Sequence, residues 1–282
     1  MILLVAKILA RLPLRGLYVL SDISYFLLYY LFRYRKKIVL ENLAHAFPEK
    51  TPKERLRIAK KFYCNLTDAF FETIKVFHWN DEAIRRRCPF EAPEKVLSLY
   101  DGEKSVIFLL GHLFNWEWVG WSSSLNIPFK MLGVYYPPHH KGAEKFVIEL
   151  RKKCGLVPVA IGGSALLRIP LRGHGIALLA DQNPGGLAKV HWTQFLNQET
   201  AFLTGFVRLA KSKNCAVIWA QVVKYKRGYY AVRMDILTQN EQEISEEELT
   251  ELYVHKLEKA IQEQPETWLW SHRRWKHQRF EN

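Results

Sequence analysis

Cysteine is scarce in this chain of 282 residues, and its scarcity excludes one class of protein at once. The four cysteines lie far apart, at Cys64, Cys88, Cys154 and Cys215. Small secreted domains that depend on disulfides carry many closely spaced cysteines instead. The spacing also lacks the paired pattern of a zinc site. We therefore expect buried thiols in a reducing compartment and no metal.

Acidic residues are few relative to basic ones, and this imbalance indicates the partners. The chain has 41 lysines and arginines against 28 aspartates and glutamates, a formal net charge of +13. Such an excess favours anionic partners: membrane lipids, nucleic acid or an acidic carrier protein. A helix-turn-helix signature and an RNP motif are both missing, so nucleic acid is the weakest of the three. The 9 Trp, 13 Tyr and 16 Phe residues favour a membrane interface.

We expect no cleavable signal peptide at the amino terminus, because its pattern is that of a membrane anchor. Lys7, Arg11 and Arg15 recur every four residues, so they share one face of a helix whose opposite face is apolar. After a break at Pro13, residues 16–32 form a second apolar stretch, close to the roughly 20 residues that span a bilayer. Three arrangements remain open: a membrane span, a helix that lies on the membrane, and a pair of core helices in a soluble protein.

Repeats and low-complexity segments are also missing, and strand and helix patterns alternate through the rest of the chain. Apolar runs such as 106–110 and 176–180 predict buried strands, and a hairpin is predicted around Gly228. The alternation predicts an α/β fold with a mostly parallel central sheet flanked by helices, preceded by an N-terminal membrane-associated helical anchor. We place the anchor at residues 1–37 and a single α/β domain at residues 38–282.

Helix boundaries are marked clearly in two places. Thr51, followed by proline and then by Glu54, predicts the start of a helix that ends near Val76. Ser245 begins a similar pattern before the last helix. A further helix is predicted over residues 202–211.

A histidine and a glutamate follow the first buried strand of the predicted sheet. His112 comes directly after Gly111, which permits a sharp turn, and Glu117 lies in the first turn of a helix that Asn115 can cap. Open α/β sheets bind ligands at the carboxyl ends of their strands. A histidine held by a carboxylate can act as a general base. The pair alone fits equally well a buried histidine with a satisfied hydrogen bond and a glutamate near a helix N-terminus.

Four segments of the chain together resemble one protein family. Residues 111–117, Gly-His-Leu-Phe-Asn-Trp-Glu, are similar to the H-x4-E motif of the glycerolipid acyltransferases. Three other segments, residues 42–49, 180–182 and 268–276, match a narrower family within this group, and all four segments occur in that family's order. The set resembles the late acyltransferases of lipid A biosynthesis, the lauroyl and myristoyl transferases, and covers nearly the whole chain. The chain departs from the family pattern at Leu113-Phe114 and in the loop after Asp181.

The resemblance implies transfer of a fatty acyl chain from acyl carrier protein to a hydroxyl of a lipid A precursor. His112 would take the proton of the hydroxyl, and Glu117 would orient the imidazole and stabilise its charged form. The Gly111 amide and its neighbours would help to bind the oxyanion. No cofactor is expected, because the donor carries its own phosphopantetheine. The protein would work at the cytoplasmic face of the bacterial inner membrane, with an anionic glycolipid as acceptor.

Three further residues are candidates for substrate binding. Asp181 and Gln182 end the strand predicted at 176–180, so in a parallel sheet they lie on the same rim as His112. Turn chemistry alone explains this pair equally well, whereas the resemblance implies that Asp181 borders the active site. Arg151 lies where the family commonly has an arginine, and the alternatives are a contact to phosphate or carboxylate and a solvated side chain.

Cations and tryptophans alternate near the carboxyl terminus. Arg273, Arg274 and Lys276 lie among three tryptophans between residues 268 and 275. This combination suits a lipid headgroup, so we expect the three cations to bind an anionic partner at a membrane-facing mouth. The alternative is an aromatic latch that closes the terminus onto the core, and both can hold together.

Three other functions stay open on the sequence alone. The acceptor could be an aminolipid or a lysophospholipid. The protein could be a membrane-associated thioesterase in which His112 activates water. It could also be a non-catalytic membrane-binding module, although the His112 and Glu117 pair argues against that. Acyl chain length is not fixed by the sequence.

Overall fold

A mostly parallel β-sheet forms the centre of the computed structural model, which describes residues 2–91, 94–161, 172–277 and 279. The strands in chain order are β1 (Val106–Leu110), β2 (Lys130–Tyr135), β3 (Val157–Ala160), β4 (His174–Leu179), β5 (Val190–Phe195), β6 (Gln198–Leu203), β7 (Ala216–Lys226) and β8 (Tyr229–Thr238). The main sheet has the order β3-β2-β4-β1-β7-β8, and β8 runs antiparallel to β7. The other neighbours pair in parallel, which confirms the predicted α/β fold with a mostly parallel central sheet.

Strand β1 occupies the middle of this sheet, between β4 and β7. All five of its side chains are buried, as a continuous apolar run predicts for a strand covered on both faces. Its carboxyl end is therefore held firmly at the rim of the sheet, where His112 follows.

Helices flank the sheet and precede it. They are α1 (Ile2–Leu9), α2 (Leu14–Phe26), α3 (Lys36–Ala46), α4 (Pro52–Lys75), α5 (Asp81–Arg87), α6 (Glu94–Leu97), α7 (Trp116–Asn126), α8 (Lys141–Lys153), the helix Gly205–Lys213 and the last helix, Glu246–Glu263. Reciprocal capping boxes, Thr51 with Glu54 and Ser245 with Glu248, begin α4 and the last helix. Both starts are as predicted, because these caps satisfy backbone donors locally.

A second hairpin, which the sequence analysis did not predict, ends inside the first turn of a predicted helix. Strands β5 and β6 pair antiparallel through a turn in which Leu196 and Asn197 both have positive φ. Two-residue hairpin turns of this kind match the twist of the strands. The prediction of a helix from residue 202 is therefore wrong in its first turn: the strand runs through Leu203, and the helix starts at Gly205.

The amino-terminal helices pack against α4 and leave an apolar face uncovered. On α2, Leu17 and Ser21 are buried, whereas Val19, Ile23 and Phe26 are each more than half exposed. None of the helices in the described ranges combines the length and apolar character that a bilayer span requires. The division of the chain at residue 37 stays a prediction.

One buried carboxylate joins α2 to the start of α7. Glu72 of α4 accepts hydrogen bonds from the Tyr18 hydroxyl (2.8 Å), the Tyr230 hydroxyl (2.7 Å) and Asn115 Nδ2 (3.2 Å). Asn115 in turn accepts from the Trp118 amide as the N-cap of α7. The segment that carries His112 is therefore fixed to both the amino-terminal helices and the sheet.

Candidate active site

The register of two neighbouring strands brings His112 and Asp181 together. Strands β1 and β4 pair in parallel with Leu110 opposite Leu179, and each of the two polar residues lies two positions beyond its strand's last pair. His112 Nδ1 lies 2.6 Å from Asp181 Oδ1. The prediction that Asp181 shares a rim with His112 is thus confirmed, and the contact is direct.

Asp181 is bound by three donors in a buried setting. Its second carboxylate oxygen accepts from the His112 amide (2.8 Å) and from Trp268 Nε1 (2.7 Å). Burial would raise the pKa of Asp181, but the charge and hydrogen bonds of His112, together with Trp268, outweigh it and lower the pKa to about 2. The carboxylate therefore holds Nδ1 of His112, and Nε2 is the nitrogen left to accept a proton.

Glu117 does not contact His112, although the sequence predicted that its carboxylate would orient the imidazole. Its carboxylate accepts from Arg151 Nη2 at 3.3 Å and from Trp116 Nε1 at 3.2 Å. The side chain starts from the first turn of α7, whereas the Nδ1 edge of the imidazole faces Asp181 on the adjacent strand. The residue that orients His112 is therefore Asp181.

Arg151 is a buried arginine of α8 whose side chain reaches the end of β2, so the solvated alternative is wrong. Its Nη1 donates to the carbonyl oxygens of Gly133 and Val134, both at 3.1 Å, and its guanidinium lies over the Tyr135 ring. Its Nε is buried without a partner among the described residues. Arg151 and Glu117 together connect α8 to the first turn of α7.

The last helix crowds the loop after β1. A Cβ atom on Gly111 would collide with a terminal methyl group of the Leu257 side chain, so a larger residue here would force Leu257 to move. The amides of His112, Leu113 and Phe114 are already bound, to Asp181, Gly111 and Thr267. In this conformation these neighbours of Gly111 do not offer free donors to an oxyanion, contrary to the expectation from sequence.

The rim beyond Asp181 contains a second histidine, which the sequence analysis did not single out. His272 Nε2 accepts from the Asn183 amide at 2.9 Å. Burial lowers the pKa of His272 to about 4, so the ring is neutral near pH 7. Gln182 is half-buried between this contact and Asp181.

The carboxyl-terminal cations divide into two kinds. Arg274 is 2% exposed, donates to the Ala201 carbonyl at 2.6 Å and lies over the Phe202 ring. Its placement favours the latch. Arg273 and Lys276 are exposed and line a cavity of about 890 Å³ whose other basic residues are Lys37, His45, His277 and Arg279.

The tryptophans of the same segment pack beside Asp181. Trp268 donates to Asp181, and its ring lies 4.8 Å from that of Trp270. The carbonyls of Trp270 and His272 accept from Asn42 Nδ2, at 2.9 and 3.0 Å. Sequence reasoning found this segment but missed the bond from Trp268 to the carboxylate.

The cysteines and candidate metal ligands add no second centre in the described ranges. Cys88, Cys154 and Cys215 are buried and Cys64 is half-buried, with all four free. Burial raises the pKa of the Cys215 thiol to about 11, so that thiol is a poor nucleophile. No cluster of three or more histidine, cysteine or acidic side chains is placed to hold a metal ion among these residues.

The fold and the site define an α/β protein with a histidine–aspartate pair at the rim of a mostly parallel sheet and a separate exposed cavity that is rich in basic side chains. The chain belongs to the bacterial lipid A biosynthesis acyltransferase family, which matches residues 1–277. The resemblance seen in the sequence motifs is thereby confirmed.

Two curated relatives carry names from the same biosynthesis. One is the lipid A biosynthesis palmitoleoyltransferase of Escherichia coli (strain K12), and the other is a lipid A biosynthesis acyltransferase of Shigella flexneri. Each is 24% identical to this chain over 246 residues, which cover 86% of the chain and 79% of the relative.

Proposed function

We propose that the protein transfers a fatty acyl chain from acyl carrier protein to a hydroxyl of a lipid A precursor. Family membership supports acyl transfer in lipid A biosynthesis. The observation that carries the proposed chemistry is the 2.6 Å contact between Nδ1 of His112 and the buried carboxylate of Asp181. The His112 side chain is 17% exposed, which leaves it accessible to a substrate.

His112 acts as the general base in this scheme. Its Nε2 takes the proton of the acceptor hydroxyl while the hydroxyl oxygen attacks the thioester carbonyl. The tetrahedral intermediate then collapses, the carbon–sulfur bond breaks, and the imidazolium returns the proton to the leaving thiolate. The products are an ester and a free thiol. The carboxylate of Asp181 stabilises the imidazolium throughout, as in other histidine relays.

Glu117 and Arg151 act on the geometry of the site. Their ion pair joins α7 to α8, and each side chain is at most 16% exposed. Helix α7 follows residues 111–115, the loop that carries His112 and that we call the catalytic loop. Buried ion pairs of this kind are costly to break, because removal of one partner leaves an uncompensated charge. The pair therefore holds the start of α7 in place beside His112.

The acceptor binds at the cavity lined by Arg273 and Lys276. Neither of these exposed cations forms a salt bridge with an acidic side chain of the described chain. Guanidinium and ammonium groups both bind phosphate oxygens, and the former bind them bidentately. Phosphates of an anionic glycolipid would hold the acceptor here, with its acyl chains directed toward the membrane.

The protein works at the cytoplasmic face of the bacterial inner membrane, where the acyl donor is available. The exposed apolar side chains of α1, α2 and residues 30–32 support contact with lipid, and Arg33, Arg35 and Lys37 follow that segment directly. Basic residues beside an apolar segment favour the cytoplasmic side. No bound cofactor takes part in this scheme.

Mass spectrometry of lipid A tests the proposal in cells. We expect deletion of the gene to remove one acyl group from lipid A, and the wild-type gene, unlike one encoding His112→Ala, to restore it. An unaltered lipid A profile would refute the acceptor, and altered phospholipids would favour a lysophospholipid acceptor. A purified protein that releases fatty acid from acyl carrier protein equally fast without acceptor would be a thioesterase.

A further inference from the structure

A second basic cavity lies along the first half of α4, and neither His112 nor Asp181 lines it. Its volume is about 580 Å³, and we call it the α4 groove. One wall is the α4 face that begins at Lys53, and the opposite wall combines the end of β7 with residues 264–267. The basic residues that line it are Lys53, Arg57, Lys60, Lys61, Lys224 and Lys226.

Most of the charge in the α4 groove is not compensated. Six basic side chains face one carboxylate, that of Glu266, which lies 3.6 Å from Lys61 Nζ. No salt bridge joins Lys53, Arg57 or Lys60 to an acidic side chain of the described residues. Clustered like charges destabilise the folded chain and attract an anionic partner, which fits a surface selected for binding.

The arrangement of these cations fits an acidic helix. Lys53, Arg57 and Lys60 stand at positions i, i+4 and i+7 of α4, so they form one row about 10 Å long. Leu56 and Tyr225 are exposed in the same groove and offer apolar contact between the charges. A concave groove receives a protein helix better than it receives the flat surface of a membrane.

The α4 groove shares a wall with the catalytic loop. Thr267 lines the groove, and its carbonyl accepts from the Phe114 amide at 2.9 Å, two residues after His112. The next residue, Trp268, donates to Asp181. A carrier docked in the groove would therefore hold its flexible thioester arm close to the catalytic pair.

We propose that the α4 groove docks acyl carrier protein through an acidic helix of the carrier. This inference rests on the proposed function and assigns its donor a surface, separate from the cavity of Arg273 and Lys276. The two substrates then approach the pair from two different basic surfaces.

Charge reversal in the groove tests the proposal. The variant Lys53→Glu, Arg57→Glu, Lys60→Glu is compared with a control, Lys130→Glu, Lys141→Glu, Lys259→Glu, which makes the same change in net charge at exposed lysines elsewhere. Two quantities are measured. One is the ratio of kcat/KM for acyl carrier protein to kcat/KM for the matching acyl-pantetheine thioester, and the other is the Kd for acyl carrier protein.

We expect the groove variant to lower this ratio and to weaken carrier binding at least tenfold, and the control to match the wild type in both. Added salt should weaken carrier binding to the wild type more than to the groove variant, because the variant lacks the positive charges that salt would screen. Equal losses in the two variants, or a groove variant with wild-type Kd, would overturn the docking site. Weaker binding to anionic vesicles with unaltered carrier binding would reassign the groove to lipid and overturn it too.

Failure of the proposed function has a different signature. A wild-type protein that binds acyl carrier protein but does not transfer its acyl chain would contradict the reaction. The Kd comparison between the groove variant and the control would still decide the docking site.

Discussion

The two carboxylates near His112 have different partners, so their removal has different consequences. Asp181→Asn replaces the ionised group on Nδ1, and we expect kcat to fall by roughly 10²–10⁴-fold, because the required tautomer and the imidazolium lose their stabilisation. Glu117→Gln weakens the contact to Arg151 and should cost less in kcat. Steady-state transfer kinetics, with folding checked by circular dichroism, compare the two. A larger loss in Glu117→Gln would restore Glu117 as the partner of His112.

His272 predicts a pH dependence of stability. Its pKa of about 4 in the folded protein lies below the usual 6.5, so the unfolded chain binds more protons between these values. The stability that neutral His272 provides is complete above pH 6.5 and is lost as the pH falls through 4. His272→Gln keeps an acceptor for the Asn183 amide but cannot take up a proton. Its Tm should therefore fall less than that of the wild type between pH 6.5 and 4, and parallel melting curves would contradict this.

Sequence reasoning identified His112 and the rim residue Asp181, but it paired the imidazole with the wrong carboxylate. Glu117 is near in the chain, and a single sequence gives more weight to such local neighbours. Asp181 is 69 residues away, and its contact depends on the register of β1 with β4. The burial of Arg274 has the same kind of cause, since it depends on the β5–β6 hairpin, which was not predicted.

At the level of the elements, α2 is the helix whose exposed face should contact lipid. Ile23 and Phe26 are each more than half exposed, and burial of such a side chain is worth about 1.5–3 kcal/mol. We expect Ile23→Glu, Phe26→Glu to reduce binding to anionic vesicles at least tenfold with little change in Tm. Cosedimentation with vesicles measures this.

The matched control for α2 is Leu187→Glu, Leu252→Glu, which alters two exposed leucines elsewhere on the surface. It should bind vesicles like the wild type. Equal losses in both double variants would mean that the added negative charge, and not the α2 face, explains the effect.

Elements with strong local signals were predictable, and those without them were not. The capping boxes fixed the starts of α4 and the last helix within the sequence itself. The turn of the β5–β6 hairpin is Leu196-Asn197, and both residues have positive φ. In the sequence, the only sign of this turn is the asparagine, and the flanking segments lack the clear alternation of apolar and polar residues that would have marked them as strands. The apolar content of residues 202–211 favoured one helix over the whole segment, but Phe202 and Leu203 end strand β6, where Phe202 is buried and Leu203 is exposed.

For the whole molecule, exposure to solvent predicts which carboxyl-terminal cations bind substrate: Arg273 and Lys276 are exposed, whereas Arg274 is buried. Arg273→Gln, Lys276→Gln should raise KM for an anionic acceptor about tenfold per cation and leave Tm unaltered, since charged hydrogen bonds contribute about 1.5–3 kcal/mol. Arg274→Gln should instead lower Tm, because it breaks the bond to Ala201. A lower Tm in the first variant, with KM unaltered, would assign all three cations to the latch.

The rate of ester formation by purified protein tests the central claim most directly. Acyl carrier protein with an isotope-labelled acyl chain and a lipid A precursor are the substrates, and mass spectrometry follows the product. We predict that the wild-type protein adds the labelled chain to a hydroxyl of the precursor, and that His112→Ala does so roughly 10²–10⁴-fold more slowly with its Tm preserved. Near wild-type ester formation by His112→Ala would contradict the account.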